Sequence, residues 1–391
     1  MSRELAIRVG ADAMAHSDRV AQHLLRLIDE AGGWLPFSGW MNAALYAPGL
    51  GYYAAESPKF ATRTDSSTTA GSGDFVTAPM LTPLFGRTLA AQVAQILSAT
   101  ASLDVLEFGA GSGELAADIL GALDALGVMA HYHILEVSAD LRDRQQRRLA
   151  AWGSRVHWLD QAPEAFAGCI VANEVLDAMP VECFRWSESG VPMERGIARD
   201  GDRFVWQERP APAGLAHAIA QRMPPLPDYQ SEINLQAEAW ARGLGTWLSR
   251  GAALIIDYGF PRREYYHPQR HRGTLMCHIQ HRAHDDVFLA PGLQDITAHV
   301  DFTAIADAAL EGGLEVLGYT SQARFLINAG LPEVWNRLMQ EDPKAHAREG
   351  RLIEKLISEA EMGELFKVMA IGRGLDCELL GFTRGDRTVQ L

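Results

Sequence analysis

An acidic residue and three glycines lie close together where the sequence reads EFGAGSG, at 107–113. Glu107 comes first, and the glycines follow at alternate positions, namely Gly109, Gly111 and Gly113. An apolar run at 103–108 precedes the glycines, and apolar residues at helical spacing follow them at 115–126. Strand, glycine turn and helix together predict the first unit of a nucleotide-binding sheet, because glycines admit a ligand close to the backbone and the helix start offers unpaired N–H groups.

The acidic residues around this turn indicate the class of ligand. A dinucleotide site has the spacing G-x-G-x-x-G, whereas here Glu114 stands where the third glycine would fall. Carboxylates disfavour a pyrophosphate but suit the ammonium and sulfonium groups of S-adenosylmethionine. Glu136, at the end of the apolar run 132–136, can accept hydrogen bonds from both ribose hydroxyls. We therefore predict a methyl-donor site rather than a redox-cofactor site, with a purely structural turn as the alternative.

Polar residues also follow the fourth predicted strand, where the sequence reads NEVLDAMP at 173–180. Ligands of open parallel sheets bind beyond the carboxyl ends of the strands, so we expect Asn173, Glu174 and Asp177 to face the transferred methyl group. The alternative is that Asn173 caps a helix and Glu174 is solvated. Asp160 directly follows the third strand, and it either accepts the adenine amino group or is a loop acid without a ligand.

The elements that must position these residues follow from hydrophobic periodicity. Strands are predicted at 103–108, 131–137, 155–159, 169–172, 252–257, 314–319 and 366–371. Helices are predicted at 1–30, 84–97, 139–151, 233–249, 303–312 and 324–356. A hairpin insertion is predicted at 184–208, and loops at 210–227 and 258–300. The stretch 34–83, with a mobile polar loop at 66–73, is either a lid over the cofactor or a surface-packed extension.

Composition excludes several classes of function. The net charge of −14 argues against a general nucleic-acid binder, although it would attract a protein substrate with a basic side chain. The four cysteines are dispersed, no apolar run is long enough for membrane insertion, and the N-terminus has no signal-type segment, so a cytoplasmic location is expected. No metal is expected at Cys277, His278, His281 and His284, because their spacing does not place three histidines on one helical face.

Several stretches together resemble one family, the MidA-type class I methyltransferases, which include a mitochondrial complex I assembly factor that methylates a protein arginine. The matching stretches are LYAPGLGYY at 45–53, GDFVT at 73–77, EFGAGSG at 107–113, NEVLDAMPV at 173–181, IDYG at 256–259, GTL at 273–275, GLQDITAHVDF at 292–302 and MGELFKV at 362–368. The resemblance runs from about residue 30 to residue 382. One departure is Met80, which stands after Pro79 where many members are expected to carry an acid.

The resemblance implies an α/β, Rossmann-like fold. It implies a seven-stranded, mostly parallel sheet with its last strand antiparallel and helices on both faces. An N-terminal cap is expected at 1–90, a core that binds S-adenosyl-L-methionine at 91–374 and a tail at 375–391. The insertions in this core are expected at 184–250, 258–300 and 324–360.

The resemblance also implies roles for particular residues. Those expected to hold the cofactor are Glu107, Gly109, Gly111, Gly113 and Glu136. Those expected on the reaction side are Asn173, Glu174 and Asp177. The matching stretches add residues on the substrate or lid side, namely Asp74, Phe75, Thr77, Asp257 and Tyr258.

These observations leave three hypotheses for the function. The first is a protein-arginine methyltransferase, with a respiratory complex I subunit as a candidate substrate; here Glu174 and Asp177 would orient the guanidinium and help its proton to leave. The second is a small-molecule methyltransferase on the same fold. The third is an assembly protein that binds the cofactor without catalysis. The oligomeric state is open.

Overall fold

The computed structural model describes residues 10–55, 77–280 and 282–391. Its strands, in chain order, are Trp34–Pro36 (β1), Asp104–Phe108 (β2), His131–Leu135 (β3), Val156–Leu159 (β4), Phe166–Asn173 (β5), Glu182–Trp186 (β6), Pro192–Asp200 (β7), Arg203–Pro210 (β8), Gln230–Ile233 (β9), Leu248–Phe260 (β10), Met276–Ile279 (β11), Arg282–His284 (β12), Asp295–Thr297 (β13), Val300–Asp301 (β14), Glu315–Ser321 (β15) and Phe366–Arg373 (β16).

Helices occupy most of the remaining chain. They are Ala11–Glu30 (α1), Phe37–Tyr46 (α2), Ala78–Leu81 (α3), Pro83–Thr100 (α4), Glu114–Ala125 (α5), Ala139–Arg148 (α6), Ala213–Arg222 (α7), Leu235–Trp247 (α8), Arg262–Tyr265 (α9), Phe302–Glu311 (α10), Gln322–Asn328 (α11), Leu331–Glu341 (α12), Pro343–Ile357 (α13) and Met362–Leu365 (α14). Short 3₁₀ turns follow at Ala150–Arg155, Pro268–Arg270, Leu380–Phe382 and Thr388–Gln390.

The central sheet confirms the predicted topology. Its strand order is β4-β3-β2-β5-β10-β16-β15, with β14 paired to the end of β10. The strands from β4 to β10 are parallel, and β16 runs antiparallel to both of its neighbours. The register pairs Phe108 with Leu135 and with Ala172. The residues that follow β2, β3 and β5 therefore lie side by side at one edge of the sheet.

Alternate residues of the strands are buried on opposite faces of this sheet, as expected for a sheet covered on both sides. Helices α4 and α5 pack on one face with Leu89, Val93, Ile119 and Leu120. Helices α8 and α10 pack on the other face, and their buried residues include Leu244 and Ile305. The expected domain boundary at residue 90 falls inside α4, so the whole of this helix belongs to the core.

The N-terminal helices share a core with the insertions. Residues of α1 and α2 pack against β6, β7, β11 and β13; the members of this cluster include Val20, Phe37, Trp40, Cys183, Ile197, Cys277 and Ile296. Strands β1, β7, β6, β9 and β8 form a second sheet, which contains the predicted hairpin. The N-terminal cap is therefore held in place by chain that comes much later in the sequence.

Two of the loop predictions are wrong. The stretch 210–227 contains α7, which buries Leu215 and Ile219; its prolines flank this helix rather than interrupt it, and Pro212 directly precedes its first residue. The stretch 258–300 contains α9 and a three-stranded sheet in the order β12-β11-β13. Hydrophobic periodicity misses such short strands because each offers few residues.

Some predictions concern residues that the structure does not describe. The proposed mobile loop at 66–73, the site candidates Asp74 and Phe75, and His281 all lie outside the described residues. Within the described residues, no group of histidine, cysteine and acidic side chains is arranged to hold a metal ion. In the same residues, no helix is both long and apolar enough to cross a membrane.

We expect Gly251→Ala to lower the free energy of unfolding by about 3 kcal/mol, because an added Cβ would be both strained and crowded. Gly251 has a φ of +131°, and its Cβ would lie 1.9 Å from the carbonyl oxygen of Gly168 on β5. Urea denaturation measures the change. The control is Gly243→Ala within α8, where an added Cβ meets no described atom within 4 Å. Gly243→Ala should raise the free energy of unfolding by up to about 1 kcal/mol. Equal changes in the free energy of unfolding of the two variants would contradict the packing of β10 against β5.

Candidate active site

A cavity of about 560 Å³ lies at the carboxyl ends of β2, β3 and β5. Residues from the glycine turn, from the segments that follow β3 and β5, and from the cap line it. The predicted site residues that line the cavity are Thr77, Glu107, Gly109, Gly111, Glu136, Asn173, Glu174 and Asp177. The structure thus brings together most of the residues that were selected from the sequence.

The glycine turn has the backbone conformation that its composition predicts. Gly109, Gly111 and Gly113 all have φ values between +52° and +80°, which side chains with a Cβ rarely adopt. The N–H of Gly109 donates to the carbonyl oxygen of Leu135 at 3.0 Å, which connects the turn to the end of β3. Gly113 directly precedes α5, so the turn delivers the first N–H groups of this helix to the cavity side of the sheet.

Glu107 is buried at the floor of the cavity. Its carboxylate accepts a hydrogen bond from the Tyr132 hydroxyl at 2.8 Å, and its exposed fraction is 2%. Burial raises the pKa of Glu107 to about 8. A cation that entered the cavity beside this carboxylate would favour its ionised form.

Glu136 is held by two donors. Oε1 accepts from the backbone N–H of Ser138 at 2.9 Å, and Oε2 accepts from Nε2 of Gln145 at 2.9 Å. These bonds hold the carboxylate at the rim between β3 and α6, although burial raises its pKa. A carboxylate fixed at the end of the second strand is suited to accept the hydroxyls of a ribose.

Gln145 is a residue that the sequence reasoning missed. It is fully buried, and its Nε2 also donates to the carbonyl oxygen of Gly111 at 2.9 Å, while its Oε1 accepts from Nε1 of Trp158 at 3.0 Å. One amide therefore connects the glycine turn to Glu136. The sequence offers one weak signal, an apolar Leu141 four residues earlier, which places Gln145 on the buried face of α6.

The segment after β5 has a strained backbone. Glu174 has a φ of +52°, and its N–H donates to the carbonyl oxygen of Ile256 on β10 at 2.8 Å. Nδ2 of Asn173 donates to Oε1 of Glu174 at 3.2 Å. Burial, followed by the charge of Asp177, raises the pKa of Glu174 to about 8. This arrangement does not match the alternative of a solvated Glu174.

Asp257 and Tyr258 do not line the cavity but lie behind this segment. The Asp257 carboxylate accepts from the backbone N–H groups of Leu176 and Asp177, at 3.0 and 3.2 Å, and from that of Tyr258. The Tyr258 hydroxyl donates to Oδ2 of Asp177 at 2.5 Å. The expectation that both residues lie on the substrate side is therefore wrong. The Asp257 side chain is held by backbone N–H groups behind the cavity wall, and both residues position Asp177.

Three oxygen atoms in the wall of the cavity are buried without a donor. They are Oδ1 of Asn173, Oε2 of Glu174 and Oδ1 of Asp177, to which no group in the described part of the chain donates a hydrogen bond. Unpaired buried oxygens of this kind are costly unless a ligand supplies donors. Burial raises the pKa of Asp177. The site thus offers acceptors to a group that is rich in N–H donors.

Aromatic side chains from the cap also line the cavity. The rings of Tyr46 and Tyr53 stack with their centroids 5.4 Å apart. The Tyr46 hydroxyl donates to the carbonyl oxygen of Ala178 at 2.9 Å, and the Tyr53 hydroxyl donates to Oδ1 of Asp295 at 2.8 Å. Tyr46 and Tyr53 belong to the stretch 34–83, for which the sequence predicts either a lid or a surface-packed extension. The predicted site residues include neither tyrosine nor Asp295, although 45–53 and 292–302 are among the matching stretches.

The cavity is acidic. Six acidic side chains line it, namely Glu107, Glu114, Glu136, Glu174, Asp177 and Asp295. No lysine or arginine lines it within residues 10–55, 77–280 and 282–391. Such a cavity attracts cations and repels phosphates.

Asp160 was predicted either to bind the adenine amino group or to be a loop acid without a ligand. Asp160 does not line the cavity: its side chain is 85% exposed and its carboxylate accepts from Arg142 at 2.7 Å. The structure therefore supports the alternative of a loop acid, because the Asp160 carboxylate pairs with Arg142 at the protein surface.

Met80 lines the cavity with an exposed fraction of 6%, so an apolar side chain stands where an acid was expected.

Comparison with known proteins identifies the family. Residues 86–320 match a family described as “Putative S-adenosyl-L-methionine-dependent methyltransferase”. The crystal structure of a “likely methyl transferase” from Burkholderia thailandensis, bound to S-adenosyl-homocysteine, is 48% identical, has a TM-score of 0.91 and covers 98% of this chain and 100% of that chain. A native crystal structure of a protein from the same superfamily and organism, also 48% identical, has a TM-score of 0.88 with the same coverage.

Curated relatives are more distant. Mitochondrial protein arginine methyltransferase NDUFAF7 from Danio rerio is 28% identical, over 87% of this chain and 84% of that protein. The Homo sapiens protein of the same name is 26% identical, over 90% of this chain and 82% of that protein. The family match covers more than half of the chain, and the sheet, the glycine turn and the acidic cavity agree with it. The chain belongs to the S-adenosyl-L-methionine-dependent methyltransferase family, and S-adenosyl-L-methionine is its cofactor.

Proposed function

We propose that the chain transfers the methyl group of S-adenosyl-L-methionine to an arginine side chain of a protein. The observation that carries this proposal is the set of buried oxygens without donors on Asn173, Glu174 and Asp177. A guanidinium group is planar, carries five N–H donors and stays charged at neutral pH, so it can satisfy several acceptors at once. The names of the curated relatives support the same acceptor.

In this proposal the residues around the glycine turn hold the cofactor, which supplies a methyl group on a positively charged sulfur. Glu136 accepts hydrogen bonds from the ribose hydroxyls, the turn at Gly109 and Gly111 approaches the cofactor with its backbone, and Glu107 balances the ammonium group. The absence of a cationic side chain from the described cavity wall supports this fit, since the cofactor itself is cationic.

The segment 173–177 then orients the acceptor. Glu174 and Asp177 hold the guanidinium by charge-assisted hydrogen bonds, which leaves one nitrogen directed at the methyl group. Most of the rate enhancement comes from this alignment, because the reaction is a direct displacement at carbon. As the nitrogen–carbon bond forms and the sulfur–carbon bond breaks, the nitrogen loses a proton to a carboxylate of this pair. The raised pKa of Glu174, about 8, suits it to take this proton.

Mass spectrometry tests the acceptor class. A lysate from cells that lack this chain is incubated with the purified protein and with S-adenosylmethionine labelled in its methyl group. We expect the label on arginine residues of protein, and respiratory complex subunits are the first fraction to examine. Label confined to small molecules would contradict the proposal in favour of a small-molecule methyltransferase. No transfer by a chain that binds S-adenosylhomocysteine would favour a non-catalytic assembly protein.

Binding of S-adenosylhomocysteine is expected to release a proton at pH 7. With a pKa of about 8, Glu107 is mostly protonated in the free protein, and the ammonium group of the ligand favours its ionised form. The affinity should therefore rise with pH between 6 and 8, because less work is needed to remove that proton. Calorimetry in buffers of different ionisation enthalpy measures the release, and Glu107→Gln should reduce it. A binding enthalpy that does not depend on the buffer would contradict this assignment.

A further inference from the structure

We propose that Asp295 determines the specificity of the acceptor site, by adding a carboxylate near Glu174 and Asp177 that restricts the acceptor to a cationic side chain. The inference rests on the proposed function in one respect, namely that Asp177 contacts the acceptor. It adds to that function a residue from the inserted three-stranded sheet rather than from the central sheet.

Asp295 begins β13, one of the two edge strands of the three-stranded sheet β12-β11-β13. Its exposed fraction is 5%, yet it lines the same cavity as Glu174 and Asp177. The hydroxyl of Tyr53 donates to its Oδ1 at 2.8 Å. Burying a carboxylate costs free energy, and a carboxylate in a cavity wall is placed where it can meet a cationic ligand.

Hydrogen bonds connect Asp295 to the reaction side of the cavity. The N–H of Ala298, three residues further along, donates to the carbonyl oxygen of Asp177 at 3.0 Å. The Tyr46 hydroxyl donates to the carbonyl oxygen of Ala178 at 2.9 Å, and the Tyr46 ring stacks on that of Tyr53. The cap, the segment after β5 and the inserted sheet therefore contact one another beside Asp177, on the reaction side of the cavity.

The electrostatics agree with this geometry. The charges of Asp295 and Asp177 both contribute, after burial, to raising the pKa of Tyr46 and that of Tyr53, and Asp295 also contributes to the raised pKa of Glu174. The carboxylates are therefore close enough to repel one another in a buried site. A cation between them relieves this repulsion. A neutral acceptor would leave the repulsion in place.

The test uses three analogues of S-adenosylhomocysteine that carry a short chain on the sulfur, ending in a guanidinium, an ammonium or a neutral urea group. The nucleoside part provides binding, so the ratio of affinities between the cationic and urea analogues reports the acceptor site alone. We expect the unaltered protein to prefer the guanidinium analogue. Asp295→Asn, which keeps an oxygen for Tyr53, should reduce this preference by about tenfold or more without changing the affinity for S-adenosylhomocysteine.

The matched control is Asp285→Asn, which removes a carboxylate from an exposed position in the same insertion. Asp285 does not line the cavity, so the control should keep the full preference. An unchanged preference in Asp295→Asn would overturn the role of Asp295 and leave the arginine proposal intact. A preference for the ammonium analogue that Asp295→Asn abolishes would support Asp295 and contradict arginine as the acceptor. An unaltered protein that binds the urea analogue as tightly as both cations would overturn both.

Discussion

Asp177→Asn is expected to lower kcat by about 10²–10³-fold while changing the affinity for S-adenosylhomocysteine by less than about threefold. Asp177 contributes one oxygen without a donor to the cavity wall, while its other oxygen is held by the Tyr258 hydroxyl. Asparagine has the same shape, so the substitution removes the charge that holds the acceptor with little change in packing. We expect the loss in kcat because the aligned carboxylate stabilises the transition state, in which the nitrogen attacks the methyl carbon, more than it stabilises the bound substrate.

Two further variants test this prediction, one with a smaller expected loss of kcat and one with none. Tyr258→Phe removes the donor that positions Asp177, so its kcat should fall by about tenfold, less than in Asp177→Asn. Asp143→Asn, at an exposed position of α6, should leave kcat unchanged. Initial rates of label transfer from S-adenosylmethionine, with calorimetric binding of S-adenosylhomocysteine, separate turnover from affinity. Full turnover in Asp177→Asn with normal cofactor binding would remove Asp177 from the reaction.

Gln145→Leu is expected to weaken the binding of S-adenosylhomocysteine by about 10–100-fold. The Gln145 amide donates both to Gly111 and to Glu136, each at 2.9 Å. Leucine fills a similar volume but leaves the carbonyl oxygen and the carboxylate without this donor. Glu136 then keeps only the hydrogen bond from the Ser138 N–H, so its carboxylate is less firmly oriented towards the ribose. Gln145 acts through these two groups, which makes it a positioning residue.

A purely structural role for Gln145 would lower stability without a selective effect on the ligand. The test therefore compares adenine and adenosine as well as S-adenosylhomocysteine: affinity should fall for the two ligands that contain ribose and stay nearly constant for adenine. Gln146→Leu, on the exposed face of α6, is the matched control and should bind all three ligands normally. A uniform loss of affinity for all three ligands would contradict the positioning role.

Local sequence patterns predict the cofactor side of the site well. The turn around Gly109 needs positive φ values that favour glycine, and Glu107 and Glu136 stand at the ends of apolar runs that form β2 and β3. These features are visible because the residues that form them are neighbours in the chain. The same holds for Glu174 and Asp177, which follow β5 directly.

The acceptor side depends on contacts that no local pattern contains. Asp295 and Tyr53 are 242 residues apart in sequence, and they meet because the cap and the inserted sheet share a core. Asp257 shows the opposite case. The matching stretches suggested that it lies on the substrate or lid side, but backbone N–H groups hold its side chain behind the cavity wall. Such outcomes depend on tertiary hydrogen bonding, which periodicity and composition do not encode.

The most direct test of the central claim is a crystal structure of this chain with S-adenosylhomocysteine bound. The claim is that acidic residues select a cationic cofactor on one side of the cavity and a cationic acceptor on the other. We predict that both ribose hydroxyls donate to Glu136, that the ammonium group lies beside Glu107 and that the sulfur points towards Glu174 and Asp177. A ribose without contact to Glu136, or a sulfur that points away from the segment 173–177, would contradict the account.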